Sequence, residues 1–380
     1  MCSMRVCDSM LPALAAEFNT SSVAVAGCIS GFAIAYGVMQ LIYGPLADHF
    51  GKPRVIAWVS VGCVVGTGLA SLAPSLHTLI FARILTGMTA AGIIPIAMAH
   101  IGDNSTSEHR QAAFAQFISA TILGAMSGQL MGGLASDTVG WRWAFALIAL
   151  LFVIAAWNLR ASLRTETARV QRAGTKGTIT ASVMSGLNSY RAVFAIAGMP
   201  LFLALTFFQG GVNISAMAFV PSFVHDHFSV SLTRASLVVV GFALGGLVYA
   251  RSAKWLLAHF HATHIALMGG LLQAASFVCL VIVPAWAAAL VVGLIGGFGA
   301  TMLHNTLQAQ ATRMAPHATG TAVASFAMIL FLGQALGVST IAWLLSRYGG
   351  SRVMASLACA SALLSALVYL RFNAQRRLPI

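Results

Sequence analysis

A chain of 380 residues that is 59% hydrophobic and 8% charged holds far more apolar surface than a soluble core needs, since soluble domains are about 25% charged. Its net charge of +13 does not indicate nucleic acid, because the basic residues sit in short stretches between apolar runs rather than on one patch. Those runs are roughly 18–27 residues long, enough to cross ~30 Å of hydrocarbon at ~1.5 Å per residue, so the chain reads as an all-α polytopic membrane protein.

The opening stretch, MCSMRVCDSMLPALAAEF, places Asp8 three positions after Arg5 in an apolar segment. Residues 1–16 rise only ~24 Å as a helix and read as the outward half of a first span. A start assigned too late, with protein upstream, is the preferred explanation, and a genuine half-span is the alternative. Full spans are predicted at 23–46, 55–73, 77–99, 111–134, 142–159, 195–221, 233–252, 262–284, 286–308, 319–345 and 350–370.

Charge then orients them. Lys52 and Arg54, Arg110, the cluster from Arg160 to Lys176, Arg251 and Lys254, Arg313 and Arg371 to Arg377 fall on one side, and Glu17, Asp137 and Asp226 on the other, with Arg142, Arg234, Arg347 and Arg352 at the edges of those loops. The positive-inside rule makes the basic side cytoplasmic, with the C-terminus inside a multi-pass cell membrane protein (the inner membrane in a bacterium). The polar, Arg-rich stretch 160–190 reads as a flexible cytoplasmic linker between a bundle of spans 1–6 (residues 1–159) and a bundle of spans 7–12 (residues 191–371), followed by a tail, 372–380. One constant offset relates Gly87 to Gly296, Ala91 to Ala300, Phe117 to Phe326, Gly124 to Gly333 and Gly128 to Gly337, the mark of duplicated halves found in many secondary transporters.

Several chemistries find no support. Cys2, Cys7, Cys28, Cys63, Cys279 and Cys359 form no CxxC pair or metal spacing and read as packing thiols. His259, His261 and His264 have no carboxylate or thiolate nearby and read as a solvated loop, not a metal site. No phosphate-cradling Gly-x4-Gly-Lys-Ser/Thr loop occurs, so ATP is not the direct energy source. An intramembrane enzyme would need acid, base and nucleophile converging in the spans, and no such cluster is present. No cofactor and no metal are expected.

Between the second and third spans lies GPLADHFGKPR, residues 44–54. Gly44 suits a close helix approach, Asp48 at a helix end suits a neighbouring helix N-terminus or a cation, Gly51 suits a tight reversal, and Lys52 and Arg54 hold the loop inside. The stretch resembles the signature loop of the major facilitator superfamily, Gly-x-x-x-Asp-Arg/Lys-x-Gly-Arg/Lys-Arg/Lys, with His49 and Pro53 at two of the basic positions. FARILTGMTAAG (81–92) resembles the family's fourth-span motif, with Arg83 as its buried cation. GAMSGQLMGG (124–133) resembles its fifth-span antiporter motif, with Gly124, Gly128, Gly132 and Gly133 in register and Gln129 where proline is usual; proline bends a helix and glutamine does not. GWRWAF (140–145) and SEHR (107–110) resemble its sixth-span start and its fourth-to-fifth loop, which adds Arg110 to a cytoplasmic gating set of Gly44, Asp48, Gly51, Lys52 and Arg54.

RVCDSMLP resembles the first-span motif of drug:proton antiporters. The resemblance implies two six-helix bundles that rock about a small molecule bound near the midplane, with protons as the coupled ion. An intramembrane carboxylate is costly unless paired, hydrated or protonated, and Asp8 is the one acid within a span. Arg5 shares its face, and Arg83 reaches a similar depth, so the two are its expected partners. A static Asp8–Arg5 pair is the competing reading. Tyr36, Phe207, Phe208, Gln209, Asn213, His304, Asn305 and Gln334 are the candidate cavity residues, each also open to plain interhelical packing. The expectation is a monomeric, proton-coupled exporter of a hydrophobic or weakly polar compound in the lipid bilayer. A sugar or other metabolite permease and a non-transporting receptor or scaffold are the alternatives.

Overall fold

The computed structural model describes residues 1–104, 107–173 and 188–377. Two short helices open it, α1 (Cys2–Arg5) and α2 (Leu11–Glu17). Eleven helices long and apolar enough to cross a membrane follow among the described residues. They are α3 (Ser22–Phe50), α4 (Lys52–Ser71), α5 (Leu76–Asn104), α6 (Ser107–Asp137), α7 (Trp141–Ala173), α8 (Met199–Phe228), α9 (Leu232–His259), α10 (Ala262–Ile282), α11 (Trp286–Met314), α12 (Thr319–Tyr348) and α13 (Gly350–Arg377).

The punctuation between them is local chemistry. Gly51, Gly140 and Gly349 take positive φ at reversals (88°, 95° and 78°), where a Cβ is penalised. Ser75 and Ser231 cap α5 and α9 by accepting the backbone N–H of Thr78 and Arg234. The span predicted at 195–221 is displaced: left-handed Gly198 followed by Pro200 starts α8 at Met199, and the helix runs on to Phe228.

A second correction concerns the linker. Helix α7 continues past the bilayer-length segment to Ala173. Residues 160–173 hold neither Gly nor Pro and are rich in Arg and Ala, both good helix formers. A polar helix carries no hydropathy signal, which is why this part was expected as linker. Residues 174–187 lie outside the described residues.

The glycine pairs show the duplication as matching contacts. In the first half Gly128 lies against the Cys2 carbonyl; in the second, at the same offset, Gly337 lies against the Gly211 carbonyl. Gly87 abuts the Phe32 backbone, and in the second half, one position beyond that offset, Gly297 abuts the Phe242 backbone. Backbones approach this closely only where a side chain is missing, the small-residue packing expected of helices in lipid. The two bundles meet along two seams, α3 with α12 and α6 with α9. We call the end carrying Glu17, Asp137 and Asp226 the acidic end and the other the basic end.

Candidate functional site

Pro12 shapes the first part of the site. It has no N–H for the carbonyl of Asp8 four residues earlier, and its ring would crowd that carbonyl, so no continuous helix joins α1 to α2. Residues 6–10 turn instead through tighter bonds, Asp8 N–H to Arg5 carbonyl (3.2 Å) and Met10 N–H to Cys7 carbonyl (3.0 Å). Asp8 sits in that turn and is fully buried, the one buried acid among the described residues.

Two side chains hold the Asp8 carboxylate through the same oxygen. Arg5 Nη1 donates to Oδ2 at 3.2 Å, as its spacing suggested, and Gln129 Nε2 of α6 donates to Oδ2 at 2.8 Å. Ser9 Oγ donates to Gln129 Oε1 at 2.7 Å and so fixes which way the amide faces. Oδ1 of Asp8 has no hydrogen-bond partner. Gln129 as a partner was not anticipated. The available signal was a glutamine at the position where the resembled motif carries proline.

Arg83 corrects the expected pairing. It is fully buried, but Nη1 donates to the Ser3 carbonyl (2.7 Å) and Ser3 Oγ (3.3 Å), and Nε to the Cys28 carbonyl (3.4 Å). Its guanidinium lies 4.3 Å from the centre of the Phe32 ring. Backbone and hydroxyl acceptors and an aromatic face hold the cation, its Nη2 is buried without a partner, and no bond to Asp8 is made.

The fifth-span glycines divide their work. Gly124, Gly128 and Gly132 face the first segment at Met1, Cys2 and Val6, whereas Gly133 faces the other half, against Ser236 and the Leu232 carbonyl. One turn further on, Asp137 reaches across the same seam. It accepts the N–H of Leu232 (3.1 Å), the N–H of Thr233 (2.7 Å) and the Thr233 hydroxyl (2.6 Å), which caps α9 from the opposite bundle. Glu17 pins α2 within the first half by accepting from Trp141 Nε1 and Arg142 Nη1. A cavity of about 510 Å³ remains at this end, walled by Pro12, Phe223, Asp226 and Leu345 among others.

The basic end differs. Among the described residues a Cβ at Gly44 would meet nothing within 4 Å, so none of them makes the expected close helix approach there. Asp48 is exposed and has no bonded partner among the described residues. Lys52 pairs with Asp103 of α5, within the first half. Arg54 has no ion-pair partner among the described residues, and the side chain of Arg110 lies outside them. The α3–α12 seam is tight only higher up, where Gly37 abuts the Met328 carbonyl and Tyr36 packs its ring 4.6 Å from that of Phe331.

Of the candidate cavity residues, Gln209 and His304 come together, amide to imidazole, at 3.4 Å. Gln334 lies on α12, its backbone carbonyl accepting from Ser215 Oγ at 2.9 Å. Asn213 lies in a π-helical turn, Gly210–Ile214, of the kind often found at functional sites. Gln209 Oε1, both polar atoms of Asn213 and Gln334 Oε1 are buried without partners. Phe208 is 58% exposed, Phe207 packs edge-on to it, and Asn305 is half-buried.

Two related helical bundles that cross a membrane many times, share two seams and bury one carboxylate define a membrane transporter fold. The sequence model of the Major Facilitator Superfamily matches residues 1–338 and 201–378, and the chain belongs to that family of transporters. Curated relatives include the multidrug export protein EmrB of Haemophilus influenzae, 29% identical over 171 residues (43% of this chain, 34% of the relative). The puromycin resistance protein pur8 of Streptomyces alboniger is 32% identical over 231 residues (58% of this chain, 44% of the relative). The chain thus spans well under half the length of these relatives. The crystal structure of the nucleoside transporter NupG superposes with a TM-score of 0.77 over 98% of this chain and 97% of that one, at 14% identity, which establishes a shared fold.

Proposed function

We propose that the chain is a proton-coupled exporter of a small hydrophobic or weakly polar compound, working by alternating access. The observation that carries this reading is Asp8, a fully buried carboxylate with one oxygen bonded twice and the other free. In apolar surroundings such a group is costly when ionised, and a proton forming an O–H bond at the free oxygen relieves that cost. When the halves rock, the group faces the other side and the O–H bond gives its proton up there.

The seams support the same cycle. With the acidic end held by Asp137 and the basic end open at Gly44 and Asp48, the molecule has the form of one limiting state. The loop charges orient it with the C-terminus cytoplasmic, so this state faces the cytoplasm. In the other state Asp48 would lock the basic end as Asp137 holds the acidic one. The bundles 1–159 and 191–371 are the moving bodies, and the chain acts as a monomer without ATP. The orphaned amides of Gln209, Asn213 and Gln334 suit a neutral substrate with a few hydrogen-bonding groups. Relatives named for multidrug export and puromycin resistance favour export over metabolite uptake.

The test is proton flux in inverted vesicles with a fluorescent ΔpH reporter, adding puromycin, ethidium or glucose to wild type and Asp8→Asn at matched expression. Proton release on adding a drug, absent in Asp8→Asn, is the expected result. Solute flux that the substitution leaves untouched would refute proton coupling through Asp8.

A further inference from the structure

The internal duplication supplies a comparison that isolates one polar feature. At the offset that carries the Cys2–Gly128 contact onto Gly211–Gly337, Asp8 falls on Met217, Ser9 on Ala218 and Gln129 on Val338. Ala218 and Val338 are fully buried, and Met217 packs against the same apolar core. At these three positions the second half therefore carries apolar side chains, and the polar contact it does keep at the crossing, Ser215 Oγ to the Gln334 backbone carbonyl, falls elsewhere. In membrane helices apolar side chains are the cheaper way to hold a crossing, since every buried polar atom there needs a partner. The crossing thus forms in the second half without a counterpart of the Asp8–Ser9–Gln129 trio, so packing alone does not account for the trio's geometry.

We infer that Gln129 is a positioning residue for the Asp8 carboxylate: its amide N–H, aimed by the Ser9 hydroxyl, sets the pH at which Asp8 exchanges its proton and ties that exchange to the position of α6. This rests on the reading of Asp8 as the proton-carrying group. The Gln129 N–H donates to Oδ2 and leaves Oδ1 as the atom that takes the proton. A donated hydrogen bond favours the ionised carboxylate. The amide loses that bond whenever α6 moves away from the turn at residues 6–10, so proton affinity follows helix position. Glutamine does this where the resembled motif's proline, having no amide side chain, does not.

Charged groups around Asp8 are few. Arg5 lies on its own segment, and Arg83 acts on it from α5 while bonded to Ser3. The Cys7 thiol acts on it directly, Cys28 on α3 lies beyond Cys7 and Arg83, and the Met1 amine and Cys2 thiol lie on the same segment on the far side of Arg5. From α6 the contact is the neutral Gln129, and α7 contributes the apolar Phe145, 5.9 Å from Arg83.

The experiment is infrared spectroscopy of the purified chain in liposomes, following the band of a protonated carboxylic acid against pH, with no substrate needed. Asp8→Asn identifies the Asp8 component of the band. Gln129→Leu should move the midpoint of that component to higher pH by about one to two units, the worth of a buried hydrogen bond to a charged group. Ser9→Ala, which leaves the packing of Gln129 intact, should move it the same way by less. An unchanged midpoint in Gln129→Leu, or no Asp8 component titrating at all, overturns the inference. The vesicle assay on Asp8→Asn decides proton coupling separately: a coupled carrier whose midpoint ignores Gln129 would leave the function standing and remove the positioning role.

Discussion

On the proposed cycle the bond from Asp137 to the start of α9 is made with the acidic end shut and lost when that end opens, so removing it should shift the balance between the two states. Asp137→Ala deletes the acceptor for the Leu232 and Thr233 N–H groups and the Thr233 hydroxyl. Losing a helix cap costs roughly 0.5–2 kcal/mol. Asp137 is exposed, and Ser231 still caps α9 from within, so the lower half of that range applies, about 1 kcal/mol. Because the bond is absent from the open form, this whole amount falls on the closed one. At ~1.4 kcal/mol per factor of ten, the open-to-closed ratio at the acidic end rises about fivefold. Spin labels at Val139→Cys and Ser229→Cys, one in each half at that end, with the native cysteines replaced, would report it as growth of a longer-distance population in liposomes. Asp137→Asn, which keeps one carbonyl acceptor, should fall between. A distance distribution in Asp137→Ala identical to that of the parent would refute the role of Asp137 in closure.

Other substitutions test the contacts around it. Gly133→Val puts a side chain against Ser236 and the Leu232 carbonyl, so the same label pair should show the acidic end forced open while the thermal midpoint of each bundle changes little. Gly128→Leu drives a side chain into the Cys2 carbonyl within one bundle and should lower thermal stability by about 3 kcal/mol, read as a reduced melting temperature in detergent. Lys52→Ala breaks an ion pair whose carboxylate is largely in water; it should cost under about 1 kcal/mol and leave the melting temperature within a degree or two.

Much of the architecture was readable from hydropathy because lipid leaves helices few alternatives: an apolar run of the right length has to be a helix. The eleven predicted spans correspond to the eleven observed, and the largest displacement, at α8, came from reading past Gly198 and Pro200. The polar extension of α7 to Ala173 carried no such signal. Pairings were harder. Counting residues from a span end placed Arg83 at a depth near that of Asp8, but depth says nothing of the direction a side chain takes around its helix, and Arg83 turns to the Ser3 carbonyl. Gln129 was visible as a departure from a motif, yet its partner lies 121 positions away, and only the docking of α6 on the first segment brings the two together. Asp137 registered as a loop charge because capping a helix of the other bundle is a property of the assembled seam.

One helix carries both kinds of contact. On α6, Gln129 holds the Asp8 carboxylate, and Gly133 and Asp137 lie against α9 of the other bundle. The rise from Gln129 to Asp137 is ~12 Å. Over that length an α-helix is stiff, so a rotation or slide imposed at one point is delivered almost whole at the other. On the proposed cycle the helix would work as a crankshaft between a site that senses one proton and a joint that opens or shuts one face. Its neighbours need only keep it aligned, a task for which the glycines at 124, 128 and 132 form a smooth bearing on the first segment.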